Sequence, residues 1–130
     1  EGEKGNLIAE ETTFDFGTVP MYDGKVKHSF SLKNNSQGPV KIYKIYTSCM
    51  CTEATLIADN AKIGPFGMPG HGGLAFVNKE IKAGDNVTIE VFVDPAAHGP
   101  QGTGPARKAV YIETDDSQKI QLVLDINVTR

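Results

Sequence analysis

The amino-acid sequence predicts an all-β fold. Alternating or β-branched runs recur along most of the chain, and short segments rich in Gly, Asn, Asp and Pro, the residues of tight turns, separate them. Helix-like patterning is poor, because the one stretch with helix-forming residues, 52–62, is long enough for only a turn or two. With 130 residues, the chain fits one domain that can bury its own core without disulfides.

About seven strands are predicted. They are expected at 14–19, 26–32, 40–47, 73–77, 86–94, 107–114 and 119–129. Short strands joined by close turns are typical of two antiparallel sheets packed face to face, so we expect a single immunoglobulin-like antiparallel β-sandwich over residues 13–130. Residues 1–12 precede the first predicted strand, and we expect them to form a flexible N-terminal segment.

The alternation also predicts the core, because successive side chains of a strand point to opposite faces of its sheet. The expected core residues are Val26, Phe30, Leu32, Val87, Ile89, Val91, Val93, Ile120, Leu122, Leu124, Ile126 and Val128. His28 falls in phase with Val26 and Phe30. We expect its ring to be partly buried and hydrogen-bonded to a neighbour, as buried polar groups generally are.

Charge and hydropathy argue against two classes of partner. The 16 acidic and 13 basic residues are spread along the chain and give a formal charge of −3, so no basic patch for nucleic acid is present. No apolar run approaches the roughly 20 residues of a membrane-spanning helix. The chain begins at Glu1 rather than Met, which is compatible with removal of an upstream signal peptide or lipid anchor.

Several segments together resemble a bacterial protein family. They are FDFGTV at 14–19, VKHSFSLKN at 26–34, IYTSCMCT at 45–52 and VTIEVFVDPAAHG at 87–99. With them, the chain is similar from about Phe14 to Val128 to the bacterial immunoglobulin-like family named domain of unknown function 1573. The resemblance implies a sandwich, bacterial origin and export to the periplasm or the medium, or lipid anchoring, and it implies no reaction. The family usually has a small residue between the two cysteines, where this chain has Met50.

Cys49 and Cys51 are the only cysteines of the chain, and Met50 separates them. In an extended strand their Cα atoms would lie about 6.6 Å apart, near the outer limit for a disulfide, and so short a ring would stabilise the fold little. A stapling disulfide is therefore the weakest interpretation of the pair. Side chains at i and i+2 lie on one side of a strand, and two thiolates on one ion need sulfurs only about 3.8 Å apart, so a metal site fits the spacing better.

His71 and His98 are the expected partners of the cysteines, because each lies in a Gly- and Pro-rich irregular segment. If both segments meet the cysteines at one pole of the sandwich, the four side chains form a Cys2His2 set that zinc or copper accepts. Met50 and Met68 are candidate additional ligands, and thioether with thiolate favours Cu(I). The alternatives are packing roles, because methionine fills gaps in cores and free cysteine acts as a small buried hydrophobe.

No enzyme is expected, because the sequence has no G-x-S-x-G elbow, no phosphate-cradling glycine loop and no H-E-x-x-H motif. No catalytic or organic cofactor-binding residue is assigned. Three functions stay open. The first and preferred one is an exported protein that binds copper, or zinc, through Cys49, Cys51, His71 and His98. The second is a metal-free module that binds another protein, and the third is a thiol redox protein.

Overall fold

The computed structural model describes residues 7–70 and 76–130. The strands in these ranges are β1 (Leu7–Ala9), β2 (Thr13–Pro20), β3 (Val26–Asn34), β4 (Val40–Thr47), β5 (Thr52–Ala58), β6 (Ala61–Phe66), β7 (Phe76–Ile81), β8 (Asn86–Val93), β9 (Gly104–Thr114) and β10 (Lys119–Thr129). Two short 3₁₀ turns, Met21–Asp23 and Gly99–Gly102, interrupt the connections. None of the described segments is a helix long and apolar enough to cross a membrane.

The strands form two five-stranded sheets. One sheet has the spatial order β1-β3-β8-β5-β6, and the other has the order β2-β10-β9-β4-β7. Within the described ranges every strand pair is antiparallel except β2 with β10, which run parallel. The predicted all-β fold, an immunoglobulin-like sandwich, is confirmed.

The described residues form ten strands where the sequence predicts about seven, and the largest difference lies in 52–62. That stretch was expected to hold a helical turn or two, but it forms most of the hairpin of β5 and β6. Asp59 and Asn60 close the hairpin with φ values of 53° and 65°, the left-handed pair that a two-residue β-turn requires. Pairing of β5 with the central strand β8 outweighs the helix propensity of its Glu, Ala and Leu residues. The predicted strand at 73–77 begins outside the described residues, and β7 continues to Ile81.

The expected flexible segment at 1–12 is wrong for residues 7–9. These residues form β1, which pairs with β3, and Leu7 is only 1% exposed. The side-chain amide of Gln118 fixes the strand by accepting from the Leu7 N–H at 3.1 Å and donating to the Leu7 carbonyl at 2.7 Å. Three residues carry too little alternation to be recognised as a strand. Residues 1–6 lie outside the described residues.

The predicted core is confirmed. Every residue expected in it is buried except Val26, which is partly buried and packs against the others. His28 is also as predicted, because its Nε2 contacts a carboxylate oxygen of Glu11 and its ring stacks on Phe14 with centroids 3.6 Å apart. The hydrophobic layer between the sheets therefore follows directly from strand alternation.

One pole of the sandwich gathers two connections. The chain passes from one sheet to the other through residues 48–51, between β4 and β5, and again through 94–103, between β8 and β9. The first residue of β5, Thr52, is the register partner of the last residue of β8, Val93. The 48–51 turn and the start of the 94–103 loop therefore lie side by side.

Candidate functional site

Cys49 and Cys51 lie in the turn at 48–51 and not in an extended strand, so that assumption of the sequence analysis is wrong. Their Cα atoms are 5.2 Å apart rather than about 6.6 Å, within the usual range for a disulfide. The two sulfurs lie at disulfide distance. The geometry therefore fits a disulfide better than the sequence predicts, because the turn shortens the distance between the two Cα atoms.

Hydrogen bonds on both sides hold the cysteine turn in place. The buried Thr47 hydroxyl lies 3.0 Å from the Cys49 carbonyl oxygen and 2.9 Å from the Thr52 carbonyl oxygen, so its proton is shared between them. The Thr52 N–H donates to the Cys49 carbonyl at 3.1 Å, and the Asp94 N–H donates to the Cys51 carbonyl at 2.9 Å. The last bond ties the cysteine turn directly to the loop that follows β8.

That loop brings His98 to the cysteines. The Nε2 atom of His98 lies 3.2 Å from the Sγ atom of Cys49. The Asp94 carboxylate accepts from the Ala96 N–H at 3.0 Å and fixes the start of the loop. Gly102 is needed where the chain turns back, because a Cβ atom there would lie only 2.8 Å from the Cβ of His98. The position of His98 therefore depends on a glycine four residues later.

Three ligand atoms converge at this pole. The sulfurs of Cys49 and Cys51 and a ring nitrogen of His98 all lie within 4.8 Å of one another, which no other group of three or more His, Cys, Asp or Glu does among the described residues. Cys51 is 5% exposed, Cys49 is partly buried and His98 is exposed. The site therefore has a closed side against the core and an open side toward solvent.

This donor set suits a soft metal only in one redox state. Thiolate, rather than disulfide sulfur, is the form in which cysteine binds metals. Once the Cys49–Cys51 bond is reduced, the pole offers two thiolates and one imidazole, ligands that zinc and copper both accept. In the oxidised state, the imidazole of His98 is the one strong metal donor among these three side chains.

Of the other predicted ligands, the structure describes Met50 and Met68 but not His71. His71 lies outside the described residues, so its distance from the cysteines is not defined. Met50 is 50% exposed at the tip of the cysteine turn, and Met68 is partly buried. The Gly67 carbonyl accepts from the Thr47 N–H at 3.1 Å, so the segment that continues to Met68 starts at the same pole.

Two supporting residues were missed by the sequence analysis. Thr47 fixes the cysteine turn, and Gly102 leaves room for His98. The threonines that flank the cysteine pair were a visible signal, since Ser and Thr often bond to nearby backbone groups. Asp94 has the role that is usual for Asp at the end of a strand, because its carboxylate accepts from the Ala96 N–H and forms a turn. Gly102 lies in a Gly- and Pro-rich stretch where the sequence alone gives no reason to single it out.

The fold and the site define an immunoglobulin-like β-sandwich with a Cys-x-Cys turn at one pole. Residues 7–67 match the family model described as "Protein of unknown function (DUF1573)", which confirms the family resemblance over a little under half of the chain. Both cysteines lie in the matched part and His98 lies beyond it. No curated protein matches this chain.

Solved structures share the fold at low sequence identity. A protein of unknown function from Porphyromonas gingivalis W83 has 17% identity and a TM-score of 0.65, with 93% of this chain and 46% of that chain covered. A family 123 glycoside hydrolase from Clostridium perfringens has 9% identity and a TM-score of 0.62, with 97% and 28% covered. The PapD-like domain 7 of human CEP192 has 8% identity and a TM-score of 0.57, with 96% and 86% covered. This chain spans about half the length of the Porphyromonas protein, and these likenesses establish the fold alone.

Proposed function

We propose that this protein binds one soft metal ion, copper in preference to zinc, through the reduced thiolates of Cys49 and Cys51 and the imidazole of His98. The observation that supports the proposal is the convergence of these three ligand atoms, from two separate connections, within 4.8 Å. Hydrogen bonds hold the cysteine turn and the start of the His98 loop, so little ordering is needed when an ion binds.

The number and type of donors favour copper. Structural zinc sites almost always take four protein ligands, and the described residues supply three at this pole. Thiolate and thioether ligands select Cu(I), and Met50 places an exposed thioether between the two cysteines. Zinc is the alternative ion if His71 supplies a fourth ligand.

The disulfide distance between Cys49 and Cys51 and the family resemblance both support a location outside the cytoplasm. Disulfides persist in the periplasm and in secreted proteins, and thiols are kept reduced in the cytoplasm. The family resemblance implies export or an upstream lipid anchor as well. We propose that the protein works in an extracytoplasmic compartment, where it binds metal only while the Cys49–Cys51 pair is reduced.

Metal titration tests the proposal. Protein reduced and freed of reductant without oxygen is titrated with Cu(I), and separately with Zn(II), against a competing chromophoric chelator. We expect one ion per chain. Cu(I) should stay bound against stronger competition from the chelator than Zn(II) does. Cys49→Ser combined with Cys51→Ser should abolish retention of the ion. Reduced wild-type protein that retains no ion at any loading would contradict the proposal.

Histidine variants separate the ligands. His98→Ala should weaken Cu(I) binding by more than about 10-fold to 100-fold, because that is the usual cost of losing only a partner that orients a ligand, and here the ligand itself is lost. His28→Ala is the matched control, because His28 contacts Glu11 and Phe14 instead of the cysteines, and it should bind copper normally. His71→Ala tests the fourth ligand: it should weaken Zn(II) binding more than Cu(I) binding. Equal copper affinity in the His98 and His28 variants would exclude His98 as a ligand.

A further inference from the structure

We infer that the Cys49–Cys51 pair undergoes thiol–disulfide exchange in which the two sulfurs have fixed roles: an external thiol attacks Cys49, and Cys51 is the thiol that is released. This activity does not depend on metal binding. It follows from the difference in environment between two sulfurs that are only two residues apart.

The first difference is access to solvent. Cys51 is 5% exposed and belongs to the hydrophobic core, whereas Cys49 is partly buried at the edge of that core. Exchange requires an incoming thiolate to reach a disulfide sulfur, and the cysteine that is less exposed is reached less readily. The exposed His98 ring lies next to Cys49, on the open side of the pole.

The second difference is the support for a leaving thiolate. The Sγ atom of Cys51 lies 3.2 Å from the hydroxyl oxygen of Thr52, which is fully buried and can donate its proton to a sulfur anion. Hydrogen bonds to a charged acceptor are stronger than those between neutral groups. Cys51 is therefore suited to leave as a thiolate. While Cys49 is joined to a partner in a mixed disulfide, the Cys51 thiolate stays positioned to attack the Cys49 sulfur and release the partner thiolate.

The exchange balances with a partner dithiol as reductant. A partner thiolate attacks the Cys49 sulfur, a mixed disulfide forms, and the Cys49–Cys51 bond breaks with its electron pair on Cys51. The second partner thiolate then attacks the partner sulfur of the mixed disulfide, and Cys49 leaves with the electron pair. The partner is oxidised to a disulfide, Cys49 and Cys51 are reduced, and each takes up one proton from solvent to replace those lost by the partner thiols. The reverse sequence reduces a partner disulfide, with Cys49 as the nucleophile.

Trapping the mixed disulfide tests the direction. Metal-free wild-type protein with a chelator present is incubated with reduced glutathione, quenched with acid and mapped by peptide mass spectrometry. We expect the glutathione adduct on Cys49, in at least about tenfold excess over Cys51, because only the accessible sulfur is attacked. An adduct mainly on Cys51, or equal amounts on both, would overturn the inference.

Single-cysteine variants give an independent readout. The thiol of Cys51→Ser, which retains Cys49, should react with iodoacetamide at least about tenfold faster than the thiol of Cys49→Ser, because reaction requires access. Thr52→Val should slow reduction of the disulfide by dithiothreitol several-fold and leave alkylation of Cys49 in the Cys51→Ser background unchanged. Thr18→Val, at an exposed position of β2, is the matched control and should alter neither rate. Equal alkylation rates in the two single-cysteine variants, each with native circular dichroism, would contradict the inference.

The outcome is separable from metal binding. A glutathione adduct on Cys49 in a protein that retains no copper would support exchange and remove the metal proposal. Copper retention by reduced protein with the adduct on Cys51 would do the opposite.

Discussion

At the scale of single residues, the site depends on small groups that leave space or bridge backbone atoms. The Thr47 hydroxyl shares its proton between two carbonyl oxygens, and Gly102 leaves space for His98. None of these groups is itself a metal ligand. The cysteines and His98 could be selected from the sequence by their chemistry, but the residues that position them could not, because their effect depends on contacts made only in the fold.

Gly102→Ala should weaken copper binding without removing any ligand. The new Cβ would meet the His98 Cβ at 2.8 Å, so the loop must shift and the position of His98 relative to Cys49 should change. We expect a loss of about 10-fold in Cu(I) affinity, similar to the loss of a positioning partner in other metal sites. Competition titration of the reduced protein gives the measurement.

Gly67→Ala serves as the control for that substitution, since a Cβ atom at Gly67 would meet nothing within 4 Å. Its copper affinity should equal that of the wild-type protein. If Gly102→Ala also binds copper with wild-type affinity, the position of His98 does not matter for the ion.

At the scale of strands and turns, the sequence predicts best where alternation is long. β8 and β10 carry long alternating runs, and the apolar residues predicted to face the core are buried, although Glu90 on the opposite face of β8 is buried as well. β5 carries residues that also favour helices, so its identity depends on pairing with β8, a partner distant in sequence. The turn at 48–51 could not be distinguished from the end of a strand for the same reason, because its shape is fixed by long-range hydrogen bonds to Asp94 and Ala109.

The pairing of β4 with β9 includes a carboxylate whose charge should contribute to stability. Glu113 accepts hydrogen bonds from the hydroxyls of Tyr46 at 2.8 Å and Tyr43 at 3.0 Å. The Tyr46 hydrogen bond is the main cause that lowers the pKa of Glu113, and the one from Tyr43 lowers it further. A carboxyl group with a depressed pKa in the folded state stabilises the fold above its unfolded pKa of about 4.3, and this contribution disappears as pH falls through the lower folded value.

Glu113→Gln should therefore lower stability at neutral pH and have a smaller effect in acid. We expect a difference in unfolding free energy of at most about 1 kcal/mol at pH 7, because Glu113 is only partly buried and solvent screens its interactions. The difference should shrink as pH falls below about 4. Denaturant unfolding at a series of pH values gives the result, with Glu80→Gln, an exposed glutamate on β7, as the control. A difference that grows toward acid would contradict the assignment.

At the scale of the whole molecule, the hydrophobic core rather than the disulfide should hold the fold together. The core between the sheets contains residues from most of the ten described strands. The Cys49–Cys51 ring encloses a single intervening residue, so its closure removes little entropy from the unfolded chain. The sandwich can therefore carry a site that changes redox state without loss of the fold, which both metal binding and thiol exchange require.

Reduction of the disulfide should lower the unfolding free energy by less than about 2 kcal/mol. Thermal unfolding with and without reductant, at matched pH, gives the comparison. Phe30→Ala, which removes a fully buried ring, should cost about 3–5 kcal/mol in either redox state. Unfolding of the wild-type protein on reduction alone would show that the disulfide and not the core maintains the fold.

The whole-molecule alternative, a module that binds another protein without metal, stays a prediction. It differs from the metal proposal in one respect, because partner binding should survive replacement of both Cys49 and Cys51 by serine. A partner that is captured by the wild-type protein and not by the variant with both cysteines replaced would indicate that the cysteine site is the functional surface.

X-ray absorption spectroscopy of the reduced, copper-loaded protein tests the central claim most directly, because it identifies the atoms bound to the ion. The proposal predicts sulfur scatterers at about 2.3 Å and a nitrogen scatterer at about 2.0 Å, the distances of thiolate and imidazole ligands, with the nitrogen contribution reduced in His98→Ala. A spectrum with only nitrogen and oxygen neighbours, unchanged in the double cysteine variant, would contradict it.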